Sequence, residues 1–237
     1  MTTATPAVPA RSRWRARGAR WWIVLTSLGI AVFAPLPYLT TSLETMTRDG
    51  SGIASNFVDR PAWFHLALYL HIVFAGLALM LSPLQFSTRL RARMPRLHRV
   101  VGRIVLSSVG VGGCAGLAIA PWNLAGPVGI AGFGLLALLW LSFAWRALGA
   151  ARRRDFVEHR RWAIRTFALT YAGVTLRLWV GVMIALQTGF GGIDEDLAFT
   201  RAYHLVPFLA WVPNLIVAER FLRRTRGIQG PQSGLER

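Results

Sequence analysis

Five histidines accompany the apolar segments of this sequence, and their side chains carry its most distinctive chemistry. His65, His71 and His204 lie toward one end of the predicted bundle, whereas His98 and His159 lie at the other. Neutral imidazole is a good iron ligand, and pairs of imidazoles from facing helices hold the iron in membrane cytochromes of the b type. The two layers therefore predict haem b, with His98 and His159 as inner iron ligands and His71 with His204 as an outer pair.

Ligation of this kind would make the protein a cytochrome b561-like transmembrane electron carrier, with quinone or a redox protein as its partner. The alternative is a non-redox membrane component, namely a transporter or a lipid- or anion-binding protein, with structural histidines. His98 and His159 each precede an arginine and open a helix, and helix N-termini attract anions, so an anionic headgroup suits both positions as well. No hydrolase or nucleotide-binding motif assigns a catalytic residue.

Arg177 is the second candidate, because it lies well inside an apolar segment with no carboxylate at a comparable depth. A charged side chain at that depth is expensive and marks a functional site unless it has a structural partner. Two roles are open for Arg177. It either extends outward toward the acidic residues 194–196, or it binds an anionic group such as a haem propionate. A quinone pocket beside His71 and Arg177 is a further possibility.

The elements that position these residues follow from composition. Of 237 residues, 54% are hydrophobic and only 16% are charged, which excludes a soluble globular enzyme and a disordered chain. Apolar runs of membrane-spanning length recur six times, at 21–42, 63–86, 100–121, 125–148, 162–187 and 203–222. The sequence therefore predicts an all-α, six-span membrane bundle over residues 21–222. A disordered basic tail, 1–20, precedes it, and a second tail, 223–237, follows it.

Charge predicts the orientation of this bundle. The formal net charge is +17, and all 27 basic residues are arginine. Of these, 23 lie in the N-terminal tail, segments 88–103 and 146–165, and the C-terminal segment, whereas the other connections hold six of the ten acidic residues. The positive-inside rule places both termini in the cytoplasm, with the arginines beside anionic headgroups. Nucleic acid is not an expected partner, because no soluble binding module accompanies the arginines.

Small and polar residues predict which helix faces turn inward. The third span carries Ser108, Gly112, Gly116 and Ala120 at four-residue steps, a pattern typical of closely packed membrane helices. Glycines 126, 129 and 132 open the fourth span in the same way. The second, fifth and sixth spans each present a stripe of small and polar residues that contains one of the candidate histidines. These stripes should face the interior, because lipid offers polar groups no partner.

Three blocks of the sequence resemble a known family. They are HIVFAGLALMLSPLQFSTRLRARMPRLHRVVGRIVL from His71, EHRRWAIRTFALTYAGVTLRLWVG from residue 158, and WVPNLIVAE from residue 211. They resemble the bacterial predicted-membrane-protein family catalogued as domain of unknown function two-three-zero-six, over about residues 63–224. The resemblance implies a multi-pass protein of the bacterial cytoplasmic membrane. It also implies a shared interior site at His71, His98, His159 and Arg177, and it carries over no catalytic role.

Overall fold

The computed structural model describes residues 10–50 and 52–227, and within them every regular element is helical. A single-turn 3-10 helix, Ala120–Trp122, follows the seventh of the α-helices. The α-helices are α1 Ala10–Phe33, α2 Leu36–Thr40, α3 Leu43–Arg48, α4 Gly52–Ser55, α5 Ala62–Gln85, α6 Thr88–Arg93, α7 Pro95–Ile119, α8 Gly126–Arg152, α9 Phe156–Thr170, α10 Ala172–Gly189, α11 Glu195–Leu209 and α12 Val212–Gly227.

Six of the helical segments are long and apolar enough to cross a membrane, which confirms the six-span, all-α prediction. We call the end of the bundle that holds the N-terminus of α1 the inner end and the opposite end the outer end. The spans, in chain order, are Arg17–Thr40, Ala62–Gln85, Pro95–Trp122, Gly126–Arg152, Phe156–Gly189 and Glu195–Thr225. The first, fifth and sixth spans are each built from two consecutive α-helices.

The tails differ in part from the sequence-based expectation. Helix α1 begins at Ala10, so the second half of the segment expected to be a disordered tail is helical. At the other end α12 continues to Gly227, past the predicted boundary of the membrane domain. Residues 1–9 and 228–237, which make up the rest of both tails, lie outside the described residues.

The second and third spans pack through their small residues, as the four-residue pattern predicts. The Cβ position of Gly112 on α7 lies 3.1 Å from the backbone nitrogen of Ala75 on α5, so the two backbones nearly touch there. Ser108 of the same stripe is buried. Close backbone approach increases dispersion contacts, which hold membrane helices together where there is no water to expel.

A layer of hydrogen-bonded aromatic residues lies in the middle of the bundle. Trp140 donates from its indole nitrogen to Thr170 Oγ1 at 2.9 Å, and Trp211 donates to the Pro207 carbonyl at 2.8 Å. Asn214 donates to Thr175 Oγ1 at 3.0 Å. Buried polar atoms on the fourth, fifth and sixth spans thus satisfy one another. The apolar side chains around them complete the core, including Ala78, Val109, Ala144, Leu169, Ala172 and Ala210.

A small cap closes the outer end over the second and third spans. The short helices α3 and α4 place Leu43 and Ala54 against Phe64 and Leu68 of α5, and Trp122 borders the same cluster. Two hydrogen bonds tie the cap to the bundle, from Asn56 Nδ2 to the Trp122 carbonyl at 2.6 Å and between His65 Nε2 and the Phe57 carbonyl at 2.8 Å. The connection between the first two spans is therefore a packed element of the fold.

Gly132 should be intolerant of any side chain. Its Cβ position lies 2.5 Å from Pro207 Cβ, where α8 crosses α11. Overpacking costs about 1–3 kcal/mol, and in a chain of this size each kcal/mol lowers the melting temperature by about 2–4 °C. Gly132→Ala should therefore lower the melting temperature in detergent. The matched control is Gly134→Ala on the same helix, which has no atom within 4 Å of its Cβ position and should cost nothing. Equal melting temperatures for the two variants would contradict this packing.

The orientation predicted from the arginines can be tested by labelling. In a Cys114→Ala background, a single cysteine replaces Ala92 at the inner end or Glu195 at the outer end, both exposed. A membrane-impermeant maleimide should label the cysteine at 195 in intact cells and the cysteine at 92 only after lysis. The reverse pattern would place the termini outside the cytoplasm.

Candidate functional site

His98 and His159 lie near each other at the inner end of the bundle. His98 lies in the first turn of α7 and His159 in the first turn of α9, and the two imidazoles are within electrostatic range of each other. His159 Nδ1 lies 2.8 Å from the carbonyl oxygen of Ala147 at the end of α8. A carbonyl can only accept, so the proton sits on Nδ1 and Nε2 keeps its lone pair. This is the arrangement in which histidines bind metals.

Two buried polar atoms beside this pair lack a partner among the described residues. They are His98 Nδ1 and Gln85 Nε2. Gln85 ends α5, and its side-chain oxygen lies 3.0 Å from the Cβ position of Gly102, one turn after His98 on α7. An unsatisfied buried donor or acceptor costs about 1–3 kcal/mol. A polar ligand at this position would remove that cost.

The orientation of α9 is fixed by interactions that the sequence analysis missed. Arg165 and Glu219 form a two-pronged ion pair between the fifth and sixth spans, with Nη2 to Oε2 at 3.0 Å. Trp162, one turn after His159, lies between the guanidinium groups of Arg146 and Arg165, at 4.7 and 4.6 Å from its ring centre. A carboxylate is therefore present in the inner half of the last span. The sequence signal was Glu219 itself, which follows a run of apolar residues directly.

His71 lies near the middle of α5 and is held against α7. Its Nδ1 is 2.8 Å from the carbonyl oxygen of Gly112, which again leaves Nε2 as an acceptor. The Cβ position of Gly116 is only 2.7 Å from His71 Nδ1, so an alanine at 116 would occupy the place of the ring. The glycine stripe of the third span thus accommodates the imidazole as well as the neighbouring backbone.

Arg177 does not extend outward toward the acidic loop. Its Nη1 donates to the carbonyl oxygen of Gly173, four residues toward the inner end, at 2.8 Å. It is within electrostatic range of His71 and of two tyrosines, Tyr38 on the first span and Tyr203 on the sixth. The second, fifth and sixth spans therefore place His71, Arg177 and Tyr203 near one another. The sequence analysis did not identify either tyrosine as a candidate site residue.

The other histidines make different contacts. His65 anchors the outer cap through Phe57. His204 is exposed, and its Nδ1 lies 2.8 Å from the carbonyl oxygen of Thr200 on its own helix. No contact joins His204 to His71 among the hydrogen bonds and electrostatic interactions of the described residues. No group of three or more histidine, cysteine or acidic side chains suited to a metal ion occurs within residues 10–50 and 52–227.

Two open grooves lie between helices of the described residues, and both are lined by residues other than histidine. One, of about 440 Å³, lies between α5 and α7 and is lined by apolar residues that include Leu70 and Cys114. The other, of about 490 Å³, lies between α7 and α8 beside Ser142 and Trp145. Neither groove has a histidine in its lining.

Comparison with known proteins gives a family and no activity. The family model described as "Predicted membrane protein (DUF2306)" matches residues 68–222, about two thirds of the chain. The matched region runs from within the second span to near the end of the sixth, and it includes His98, His159 and Arg177. No curated protein and no solved structure matches the chain. The similarity recognised in the three sequence blocks is thus confirmed.

The ion pair between Arg165 and Glu219 should show strong coupling in a double-mutant cycle. Only 14% of the Arg165 side chain and 35% of the Glu219 side chain are exposed, so removing one partner leaves a half-buried charge unpaired. Glu219→Gln should lower the free energy of unfolding by about 1–3 kcal/mol. The double variant with Arg165→Gln should cost less than the sum of the two single changes. Additive losses would show that the pair contributes nothing specific.

Proposed function

The chain belongs to the DUF2306 family of predicted membrane proteins, and we propose that it binds haem b between His98 and His159 and carries electrons. The observation that carries this proposal is the convergence of two imidazoles, each from the first turn of a different helix. Bound haem would supply an iron that alternates between the ferric and ferrous states. The residues of the chain would hold that iron at the inner end of the bundle.

The surroundings of the two imidazoles support this role. The hydrogen bond between His159 and Ala147 fixes the ring and directs Nε2 away from α8. The ion pair of Arg165 holds the same helix against the sixth span. His98 Nδ1 and Gln85 Nε2 have no partner among the described residues, so their hydrogen-bonding capacity remains for a ligand and its ordered water. Arg91 and Arg99 are within electrostatic range of His98 and suit the propionates of a haem.

The outer pair receives less support than the inner pair. His71 has the fixed ring and acceptor Nε2 that an iron ligand needs, but His204 is exposed and bonds to its own helix. We therefore place the proposed haem at the inner end alone. A single haem per chain is the expected stoichiometry.

The proposal predicts a b-type absorption spectrum that depends on the inner histidines. Protein purified in detergent after haem-supplemented expression should show the reduced-minus-oxidised α-band of haem b. His98→Ala and His159→Ala should each abolish it, because one imidazole alone holds the iron weakly. His65→Gln is the matched control, since glutamine still donates to the Phe57 carbonyl and should leave the haem content unchanged. A colourless unmodified protein, or unchanged haem in both alanine variants, would overturn the proposal.

A second candidate function is the binding of anionic lipid at the same end. The observation that favours it is the exposed arginine surface beside His98, which includes Arg91 and Arg99. Exposed arginines next to a membrane attract anionic headgroups. A colourless protein whose melting temperature rises with cardiolipin but not with phosphatidylcholine would support this alternative. No response to either lipid would count against it.

A further inference from the structure

Four polar side chains from four spans come together in the outer half of the bundle. They are Tyr38, His71, Arg177 and Tyr203, and their electrostatic interactions link Arg177 to each of the other three. Helix packing independently brings the segments that carry Tyr38 and His71 together. Pro35, three residues before Tyr38, lies 3.3 Å from the Cβ position of Gly76 on α5, little more than one turn after His71. We call this group the outer polar cluster.

The depth of Arg177 makes the outer polar cluster unusual. The fifth span covers 34 residues, and Arg177 lies about 7 Å outward of its midpoint at 1.5 Å per residue. Half of the hydrocarbon thickness is about 15 Å. The guanidinium turns further inward still, toward the Gly173 carbonyl. Arg177 is therefore a cation within the hydrocarbon layer that does not reach the outer water.

Within the described residues no carboxylate neutralises this cation, since the ion pairs there join Arg161 to Glu158 and Arg165 to Glu219. The side chain of Arg177 is also exposed on the surface of the isolated chain. A surface exposed at this depth is open to the bilayer, which can supply a neighbour for the guanidinium. A charge so placed costs several kcal/mol unless an opposite charge accompanies it.

The remaining members of the cluster are hydrogen-bonding groups. The hydroxyls of Tyr38 and Tyr203 make no hydrogen bond to the described residues, and His71 Nε2 has only an acceptor lone pair to offer. The Tyr203 ring is held between Phe133 and Phe199, at centroid distances of 6.2 and 5.4 Å. The cluster thus presents the donors of Arg177 and two phenols, a set complementary to an oxyanion.

We propose that the outer polar cluster binds the oxyanion head of an acyl-chain amphiphile that enters from the bilayer. Arg177 pairs with the carboxylate or phosphate, and Tyr38 and Tyr203 donate hydrogen bonds to it. The acyl chain remains in the lipid beside the fifth span. This site is separate from the proposed haem site and does not depend on it.

The test measures binding of dibromostearate to the detergent-purified protein by quenching of tryptophan fluorescence. Arg177→Gln should weaken binding about 10- to 100-fold, the usual effect of losing a hydrogen bond to a charged group. Tyr203→Phe keeps the ring between its two neighbours and should weaken binding about 2- to 10-fold. Arg201→Gln, which changes an exposed arginine near the outer end of the same bundle, is the matched control and should bind normally.

Further probes identify the source of the oxyanion without relying on a variant that folds poorly. The methyl ester of dibromostearate lacks the charge and should bind the unmodified protein at least tenfold more weakly than the acid. Acetate and inorganic phosphate should compete only weakly, because they lack the acyl chain. Equal binding of acid and ester would overturn the site. Full competition by inorganic phosphate would contradict the claim that the bound oxyanion belongs to an acyl-chain amphiphile.

Haem content separates this proposal from the preceding one. Arg177→Gln should leave the haem content of the purified protein unchanged, because the proposed haem lies at the inner end. Loss of haem in this variant would overturn the amphiphile proposal and make a haem propionate the anion at Arg177. If the unmodified protein contains no haem, the haem proposal fails, and the dibromostearate measurements still decide whether the outer polar cluster binds an oxyanion.

Discussion

The bundle depends on one close approach, that of α5 and α7 along the glycine stripe. His71 donates to the Gly112 carbonyl, which belongs to the backbone of the neighbouring helix, and it can do so only because Gly116 has no side chain. The two glycines therefore do more than bring the backbones together. They allow a large polar ring to be satisfied at membrane depth, where an unsatisfied donor would be costly. The contact between His71 and Gly112 fixes α5, and α5 in turn positions both the outer polar cluster and the cap.

The sequence predicted the features that follow from local physical requirements. Six spans appear within a few residues of the predicted bounds at most of their ends, because apolar length is set by bilayer thickness. The stripe on the third span faces its neighbour as predicted, because small residues at four-residue steps share one face of a helix. The family also followed from the sequence, since the similarity extends through the blocks around His71, residue 158 and Trp211.

The features that could not be predicted depend on which helices are neighbours and how each is rotated. Arg165 and Glu219 are 54 residues apart, and their pairing requires the fifth and sixth spans to meet in one register. His204 belongs to the polar stripe of its span, yet it lies on the surface of the bundle. The cap between the first two spans could not be predicted either, because its anchors, Asn56 and His65, bond to backbone carbonyls. Every residue has a backbone carbonyl, so the residue types in a sequence do not show which carbonyl accepts such a hydrogen bond.

The two ends of the bundle are electrostatically almost independent. His98 lies 14 residues before Gly112 on α7, so the inner pair and His71 are about 20 Å apart along the helix. At an effective dielectric constant of about 20, unit charges at that distance interact by about 0.8 kcal/mol. The apolar layer around Trp140, Leu169 and Trp211 lies between them. A change of charge at one end therefore alters binding at the other by less than fourfold, so each site can be assigned its chemistry separately.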